Sequence, residues 1–268
     1  MKLSFVIVNY KSRNYLDNCL FSIAENVKEI DFEIIIVNSD EEKIFELKTE
    51  NLKEKIKIIE LNENIGFGRA NNLGVKKCGG DILCLLNPDT EIISKDIKNI
   101  LKIFEEQKEI SVIGPKIVEK NFDGQYAVQK WNQGMDLNIV ELLRSKLGIP
   151  RSRKIWQSKI QMEIDWVSGA CMFFRKNDFL EIGGFDEKIF LYYEDVDICK
   201  RINLAGKKVL YDPDFQVLHW GGKSEGEIAK RKKEYFLSQD YYYQKWFSKL
   251  SQYLLKFLRF FYAWRYKI

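Results

Sequence analysis

The stretch Ile82-Leu83-Cys84-Leu85-Leu86-Asn87-Pro88-Asp89-Thr90 decides the fold. Five apolar residues run together and stop at Asn-Pro-Asp-Thr. A short unbroken apolar run suits a strand covered on both faces. Pro88 has no N–H to continue an inner strand, and it pushes Asn87 toward an extended conformation. Asp89 then leaves on a turn past the carboxyl end of the strand, the edge where open α/β sheets bind ligands. A carboxylate there either caps the turn or handles a metal and phosphate.

Working outward, Gly79-Gly80-Asp81 turns the chain into this strand from a helix expected over Arg69 to about Lys77. Before that helix lie the loop Asn62–Gly68 and a strand over Ile56–Leu61. Earlier still are a helix from Ile44 to about Leu52, a strand over Phe32–Val37, a helix through Tyr15–Ile23 and a strand over 3–8. Strand–helix alternation of this kind indicates a mostly parallel, doubly wound sheet with helices on both faces. Downstream, Asp96–Glu106 reads as a helix with Ser94 near its N-cap. Val112–Val118 reads as a strand interrupted by Gly114-Pro115, and 120–160 reads as a mobile loop. Trp166–Phe174 is apolar again. A helix after Asp197 closes at Gly206, and Lys208–Tyr211 is the last expected strand.

The 268 residues suffice for one large domain or two small ones. A net charge of +4 is too small to argue for nucleic acid. The N-terminus enters a strand directly, so no signal peptide is expected. No apolar run reaches the roughly 18 residues of a membrane span. Five scattered cysteines without a Cys-x-x-Cys pair argue for reduced, buried thiols in a cytosolic protein.

The tail, 227–268, differs in composition. Lys230-Arg231-Lys232-Lys233 is a basic run, and no acidic residue follows Asp240. Trp246, Leu250, Leu254, Phe257, Phe261 and Trp264 recur at steps of three or four. That is an apolar stripe on a basic helix. It suits an anionic membrane surface, the catalytic domain or a second subunit.

Acidic residues fall at Asp40, Asp89 and the cluster Glu194, Asp195 and Asp197, each on or beside an expected strand end or helix start. Clustered carboxylates repel, so buried ones need a cation or a proton. Helix capping accounts for one or two of them. His219 is the only histidine, and it precedes Trp-Gly-Gly-Lys-Ser, a loop able to wrap a diphosphate. Imidazole, carboxylate and diphosphate oxygens together suit Mn²⁺ or Mg²⁺. The Asn64–Asn72 loop has Gly-x-Gly but lacks the third glycine of a dinucleotide fingerprint. Its helix-start amides and Arg69 could receive a nucleotide sugar, or form a plain strand–helix turn.

In order and wording these segments resemble glycosyltransferase family 2, with the nucleotide-diphospho-sugar (GT-A) fold. The resemblance is carried by Val6–Tyr10, Asn64–Phe67 with Asn71-Asn72, Leu86–Thr90, Gly183–Asp186, Tyr193–Asp197, and His219 with Ser224. It spans roughly 3–225. Asn-Pro-Asp-Thr and the Gly-Gly-Phe-Asp…Glu-Asp-x-Asp spacing resemble the rhamnosyltransferase-like branch. The resemblance implies a catalytic domain over 1–226, with a nucleotide-sugar half to about 90 and an acceptor half beyond it. An amphipathic helical extension follows over 227–268. Asp89 and His219 would be metal ligands for Mn²⁺ or Mg²⁺, with Asn87 in place of the family's first Asp. Asp195 would be the catalytic base, with Glu194 beside it. Asn9, Tyr10, Asn38, Asp40, Gly66, Arg69, Asn71, Asn87 and Lys223 would bind the nucleotide sugar. The acceptor side would be Trp166, Gly169, Tyr193 and Asp197. The family's Asp at the end of the second strand is missing, so either Asn38 or Asp40 takes that contact.

The implied reaction is an inverting transfer, with L-rhamnose from dTDP-rhamnose as the branch's donor. The expected acceptor is a hydroxyl of a lipid-linked or surface saccharide. The expected setting is cytoplasmic, peripheral at the inner face of the membrane, with a homodimer as an option and no nucleic acid. A nucleotidyltransferase would carry a Gly-rich, basic N-terminal loop, which Val6–Tyr10 lacks. A non-catalytic saccharide-binding module is opposed by the retained Asp89, Asp195 and His219.

Overall fold

The computed structural model describes residues 1–44, 46–130, 133–149, 153–156, 158–221 and 228–266. Strands β1 (Leu3–Asn9), β2 (Phe32–Asn38), β3 (Ile56–Glu60) and β4 (Ile82–Leu86) alternate with helices α1 (Arg13–Asn26) and α2 (Phe67–Val75). Then come β5 (Thr90–Ile92), α3 (Ile97–Glu106), β6 (Ile110–Lys120), β7 (Tyr126–Val128), β8 (Gln133–Gly134), α4 (Ile139–Lys146) and α5 (Arg153–Trp156). Strands β9 (Met162–Ile164), β10 (Trp166–Val167) and β11 (Cys171–Arg175) lead into α6 (Lys176–Glu181) and α7 (Glu194–Leu204). Strand β12 (Lys208–His219) precedes α8 (Ile228–Trp246) and α9 (Lys249–Tyr266).

The main sheet runs β3-β2-β1-β4-β11-β6-β12-β5. Its first four strands are parallel, and β11 enters antiparallel between β4 and β6. Alternate residues of the inner strands feed two cores. Phe5, Ile7, Ile34, Ile36 and Cys84 pack with α1 and α3. Val6, Ile35, Val37, Leu83 and Leu85 pack with α2, α7 and α8. Every residue of β1, β2 and β4 is therefore buried, and the apolar runs show no alternation because both faces are covered. All five cysteines are free and buried.

Several local expectations change. The segment from Ile44 toward Leu52 is not an α-helix; a 3₁₀ turn covers Glu50–Lys55. The amides of Ile44 and Lys48 bond the carboxylates of Glu60 and Asp17 instead of carbonyls a turn back. Helix α2 starts at Phe67, two residues earlier than expected. Asp96, not Ser94, caps α3, taking the Asn99 amide, while Ser94 ties to Asp214 and Gln216 of β12. Strand β6 continues through Gly114-Pro115. Neighbouring β11 pairs with it only at Val112 and Ile113, so Pro115 lies beyond that ladder. Strand β12 runs on to His219 because Asp212-Pro213-Asp214 forms an irregularity inside it, not a stop. The region 120–160, expected as a loop, holds β7, β8, α4 and α5 among its described residues. The tail is a helical hairpin rather than one helix; Arg259 of α9 pairs with Asp240 of α8. Among the described residues no helix is long and apolar enough to cross a membrane.

Candidate active site

The Asn-Pro-Asp-Thr corner is held from both sides. Asn87 donates its amide to Ala170 O at 3.0 Å, and its own carbonyl accepts from the Thr90 amide and hydroxyl. Thr90 then opens β5, which pairs antiparallel with the end of β12 in a register that sets Thr90 opposite His219. The Trp220 amide closes on Asp89 O at 3.0 Å. This pairing brings His219 Nε2 to 3.5 Å from Asp89 Oδ1, with both side chains largely buried.

His219 Nδ1 lies 2.9 Å from Gln129 Oε1. With that amide oxygen as acceptor, Nδ1 carries the proton. In the tautomer protonated only there, the ring turns its Nε2 lone pair toward the Asp89 carboxylate. Two electron-pair donors facing each other across 3.5 Å call for a cation or a proton between them. An outer-shell acceptor on the far ring nitrogen is the usual arrangement for a ligating histidine. Among the described residues no three His, Cys, Asp or Glu side chains converge. A site with two protein ligands still fits Mn²⁺ or Mg²⁺, which commonly complete their shells with phosphate oxygens and water.

The pair opens onto a cleft of about 260 Å³ at the carboxyl ends of β1 and β4. Tyr10, Asn87 and Asp89 form its base, Gly66-Phe67 and Phe190–Tyr192 a wall, and His219 with the start of α8 the rest. Gly66 has φ +90°, and a Cβ there would lie 2.8 Å from Phe190 O. The Phe67 amide donates to that same carbonyl at 3.0 Å. The start of α2 is thereby clipped to the 190–193 segment.

Asp195 sits in the first turn of α7. Its Oδ2 accepts from the Gly169 amide at 2.9 Å, and its Oδ1 from Val196 at 2.8 Å. Ala170, one residue on from Gly169, holds Asn87, so a short turn links the carboxylate of Asp195 to the Asp89 corner. Burial raises the pKa of Asp195 above the ordinary carboxylate range. Burial raises Glu194 as well, and the neighbouring Asp195 charge adds to it. Asp195 does not line the cleft itself. A Cβ added to Gly169 would meet the Phe67 ring at 3.3 Å and Asp195 Cβ at 3.8 Å, so Phe67 stands beside it.

Other expected residues have structural partners. Asn9 Nδ2 donates to Asn38 Oδ1, and Asn38 Nδ2 donates to Glu42 O and Glu60 Oε2; both asparagines are buried. Asp40 accepts the amides of Lys11 and Glu41. Neither Asn38 nor Asp40 lines the cleft, whereas Tyr10 does. Arg69 turns away to Glu187, and Asn71 bonds Phe67 O within its own helix. On the expected acceptor side, Trp166 is buried with its indole N–H on Met135 O. Tyr193 is packed between Tyr235 and Tyr242 of α8. Asp197 is fully buried, and its oxygens hold Arg201, Lys245 and Trp246. It joins α7 to α8 and is not placed to meet an acceptor. Lys223 lies outside the described residues. Sequence reasoning assigns no site role to Phe67, Gln129 or Phe190–Tyr192, and it reads Lys230 and Arg231 only as part of a basic run in the tail.

Comparison with known proteins agrees with this geometry. The profile of Glycosyl transferase family 2 matches residues 4–183. The chain is 30% identical over 164 residues to rhamnosyltransferase WbbL of Escherichia coli K12, covering 58% of this chain and 61% of that protein. It is 27% identical over 190 residues to the N-acetylglucosaminyl-diphospho-decaprenol L-rhamnosyltransferase of Mycobacterium tuberculosis CDC 1551, covering 64% and 61%. The chain thus spans about three fifths of the length of these relatives. In structure it is similar to GalNAc-T7 solved with UDP, GalNAc and Mn²⁺, with TM-score 0.64, 18% identity, and coverage of 90% of this chain and 50% of that one. A parallel sheet ending in an Asn-Pro-Asp corner, a fold shared with a sugar transferase, and a family match over two thirds of its length agree: the chain belongs to glycosyl transferase family 2 and has the GT-A fold.

Proposed function

We propose that the chain transfers L-rhamnose, with inversion, from dTDP-rhamnose to a hydroxyl of a lipid-linked or surface-polysaccharide acceptor. The observation that carries this reading is the facing pair Asp89–His219 on a strand-end cleft, with Asp195 one short turn away. Its similarity to rhamnosyltransferases supports the sugar, and the decaprenol-linked substrate that one of them is named for supports a lipid-linked acceptor.

The acceptor oxygen attacks the anomeric carbon from the face opposite the diphosphate. As that C–O bond forms, the anomeric C–O bond to phosphate breaks, and its electron pair leaves with the nucleoside diphosphate. The acceptor proton passes to Asp195. Such general-base work contributes roughly 10² to 10⁴ in rate. A Mn²⁺ or Mg²⁺ held by Asp89 and His219 would supply Lewis-acid stabilisation of the charge growing on the diphosphate. Gly169 N–H and Val196 N–H orient the Asp195 carboxylate for its task. The protein acts in the cytoplasm at the inner membrane face, with the outer face of α9 toward lipid.

Transfer from dTDP-rhamnose to a polyprenyl-diphosphate-linked sugar, with and without Mn²⁺, tests the reaction; NMR of the product gives the anomer. Asp195→Asn should keep donor affinity and lose about 10² or more in turnover. Asp89→Ala should abolish the metal-dependent part of donor affinity by calorimetry. A retained anomer, or an Asp195→Asn variant near full turnover, removes the mechanism.

A further inference from the structure

The basic run Lys230–Lys233 divides across its helix. Lys230 and Arg231 line the cleft with Glu234, one turn on, while Lys232 and Lys233 do not. Glu234 lies four residues from Lys230 and three from Arg231, so it neighbours both on the helix surface. Among the described residues, Lys230 and Arg231 are the cations that line this cleft. The cleft also holds the Asp89–His219 pair, so the two groups border the same hollow.

Helix α8 is fixed where it meets the cleft wall. Ser238 donates to Leu191 O at 2.8 Å, and Gln239 donates to the Tyr193 hydroxyl. Tyr235 packs on both Tyr192 and Tyr193. Burial raises the Tyr192 phenol and the charge of Arg231 opposes it, which places that guanidinium near the wall. The helix start is therefore built into the site.

We propose that Lys230 and Arg231 bind the diphosphate of the nucleotide sugar, closing the cleft from the side of the C-terminal helix. This rests on the donor reading above. A diphosphate brings two negative charges to a cleft that already holds Asp89 and Glu234. Counter-charge is needed beyond the cation that Asp89 and His219 would hold. A lysine and an arginine on a rigid helix supply it, the arginine with a fork matched to phosphate oxygens.

Isothermal titration of the full chain with inorganic pyrophosphate and with dTDP, both with Mg²⁺, tests this. Pyrophosphate reads the subsite without the base. The double variant Lys230→Ala/Arg231→Ala should bind both ligands at least tenfold more weakly, since a hydrogen bond to a charged group contributes about a factor of ten or more. Lys232→Ala/Lys233→Ala, from the same run, should match the wild type. Lys230→Arg/Arg231→Lys should keep most of the affinity. Undiminished binding by the Lys230/Arg231 alanine pair overturns the inference and leaves the transferase reading standing. An equal loss in the Lys232/Lys233 pair overturns it too, because general charge would then explain the binding. A charge-conserving Lys230→Arg/Arg231→Lys variant as weak as the alanine pair assigns the loss to structure and has the same result. A wild-type chain that binds neither ligand removes this inference together with the donor reading.

Discussion

Glu194 is 5% exposed, and its Oε2 has no hydrogen-bond partner among the described residues. Burial and the neighbouring Asp195 charge both favour its protonated form. A carboxyl whose pKa is raised by folding keeps its proton longer in the fold than in the unfolded chain. Its stabilising contribution is full below the ordinary carboxylate range and is lost as pH rises through the raised value. The share of stability that Glu194 contributes should therefore fall as pH climbs out of the acid range. Glu194→Gln keeps the shape and removes the charge. It should gain on the order of 1–3 kcal/mol at neutral pH and flatten that decline, read from urea midpoints across pH. A variant no more stable than wild type at neutral pH would mean that Glu194 ionises at no cost. Asp195 is raised in the same direction by burial, so the acid limb of turnover should lie above the ordinary carboxylate range. Asn38 shows the limit of reading a single residue. Its position at the end of β2 was legible, but its use by Asn9, Glu42 and Glu60 was not, since those partners come from separate segments.

Helices α8 and α9 differ in role although they share one basic, aromatic composition. Tyr242 and Tyr243 of α8 are fully buried, and their hydroxyls bond Asp136 and Leu137 O. Asp197 is the hub of this packing. Asp197→Ala would leave Arg201 without its carboxylate, Lys245 with Asp186 alone and the Trp246 indole N–H without its acceptor, and should cost about 3–5 kcal/mol, measured by denaturant unfolding. A loss under 1 kcal/mol would show that α8 is held by its tyrosines alone. The same helix steadies Tyr192 and Tyr193, two consecutive residues with φ 68° and 69°. Such conformations cost of order 1–3 kcal/mol each and persist where surroundings impose them. Helix α9 instead exposes Leu250, Tyr253, Leu254, Phe257 and Phe260 on its outer face, beside exposed Lys249 and Lys256. Leu255 and Arg259 face inward. Changing Leu250, Tyr253 and Leu254 to Gln should leave the melting temperature nearly unchanged and reduce flotation with anionic liposomes. Undiminished flotation would remove the membrane-surface reading of α9. Truncation at 241 would not serve, because it also deletes the buried tyrosines.

For the whole molecule, the donor reading predicts which nucleotide stabilises the fold. A ligand at about a hundred times its Kd adds about 2.7 kcal/mol, or several degrees in melting temperature for a chain of this size. With Mn²⁺ present, dTDP and dTDP-rhamnose should raise the melting temperature more than UDP or GDP do. A larger shift with UDP or GDP would move the donor assignment, and no shift with any of them would remove the transferase reading. The sequence by itself determined the alternation of buried strands and helices, because apolar runs of strand length and helical periodicity are local patterns that any covered sheet imposes. It also determined the Asn-Pro-Asp stop, since Pro88 has no N–H with which to carry the ladder of an inner strand onward. Only the tertiary structure decided that Thr90 pairs with His219, that Gln129 takes the far side of the imidazole, and that α8 completes the cleft. The physical reason is that these contacts join segments far apart in the chain. Each depends on where the intervening sheet and helices place its partners, and no local propensity carries that information.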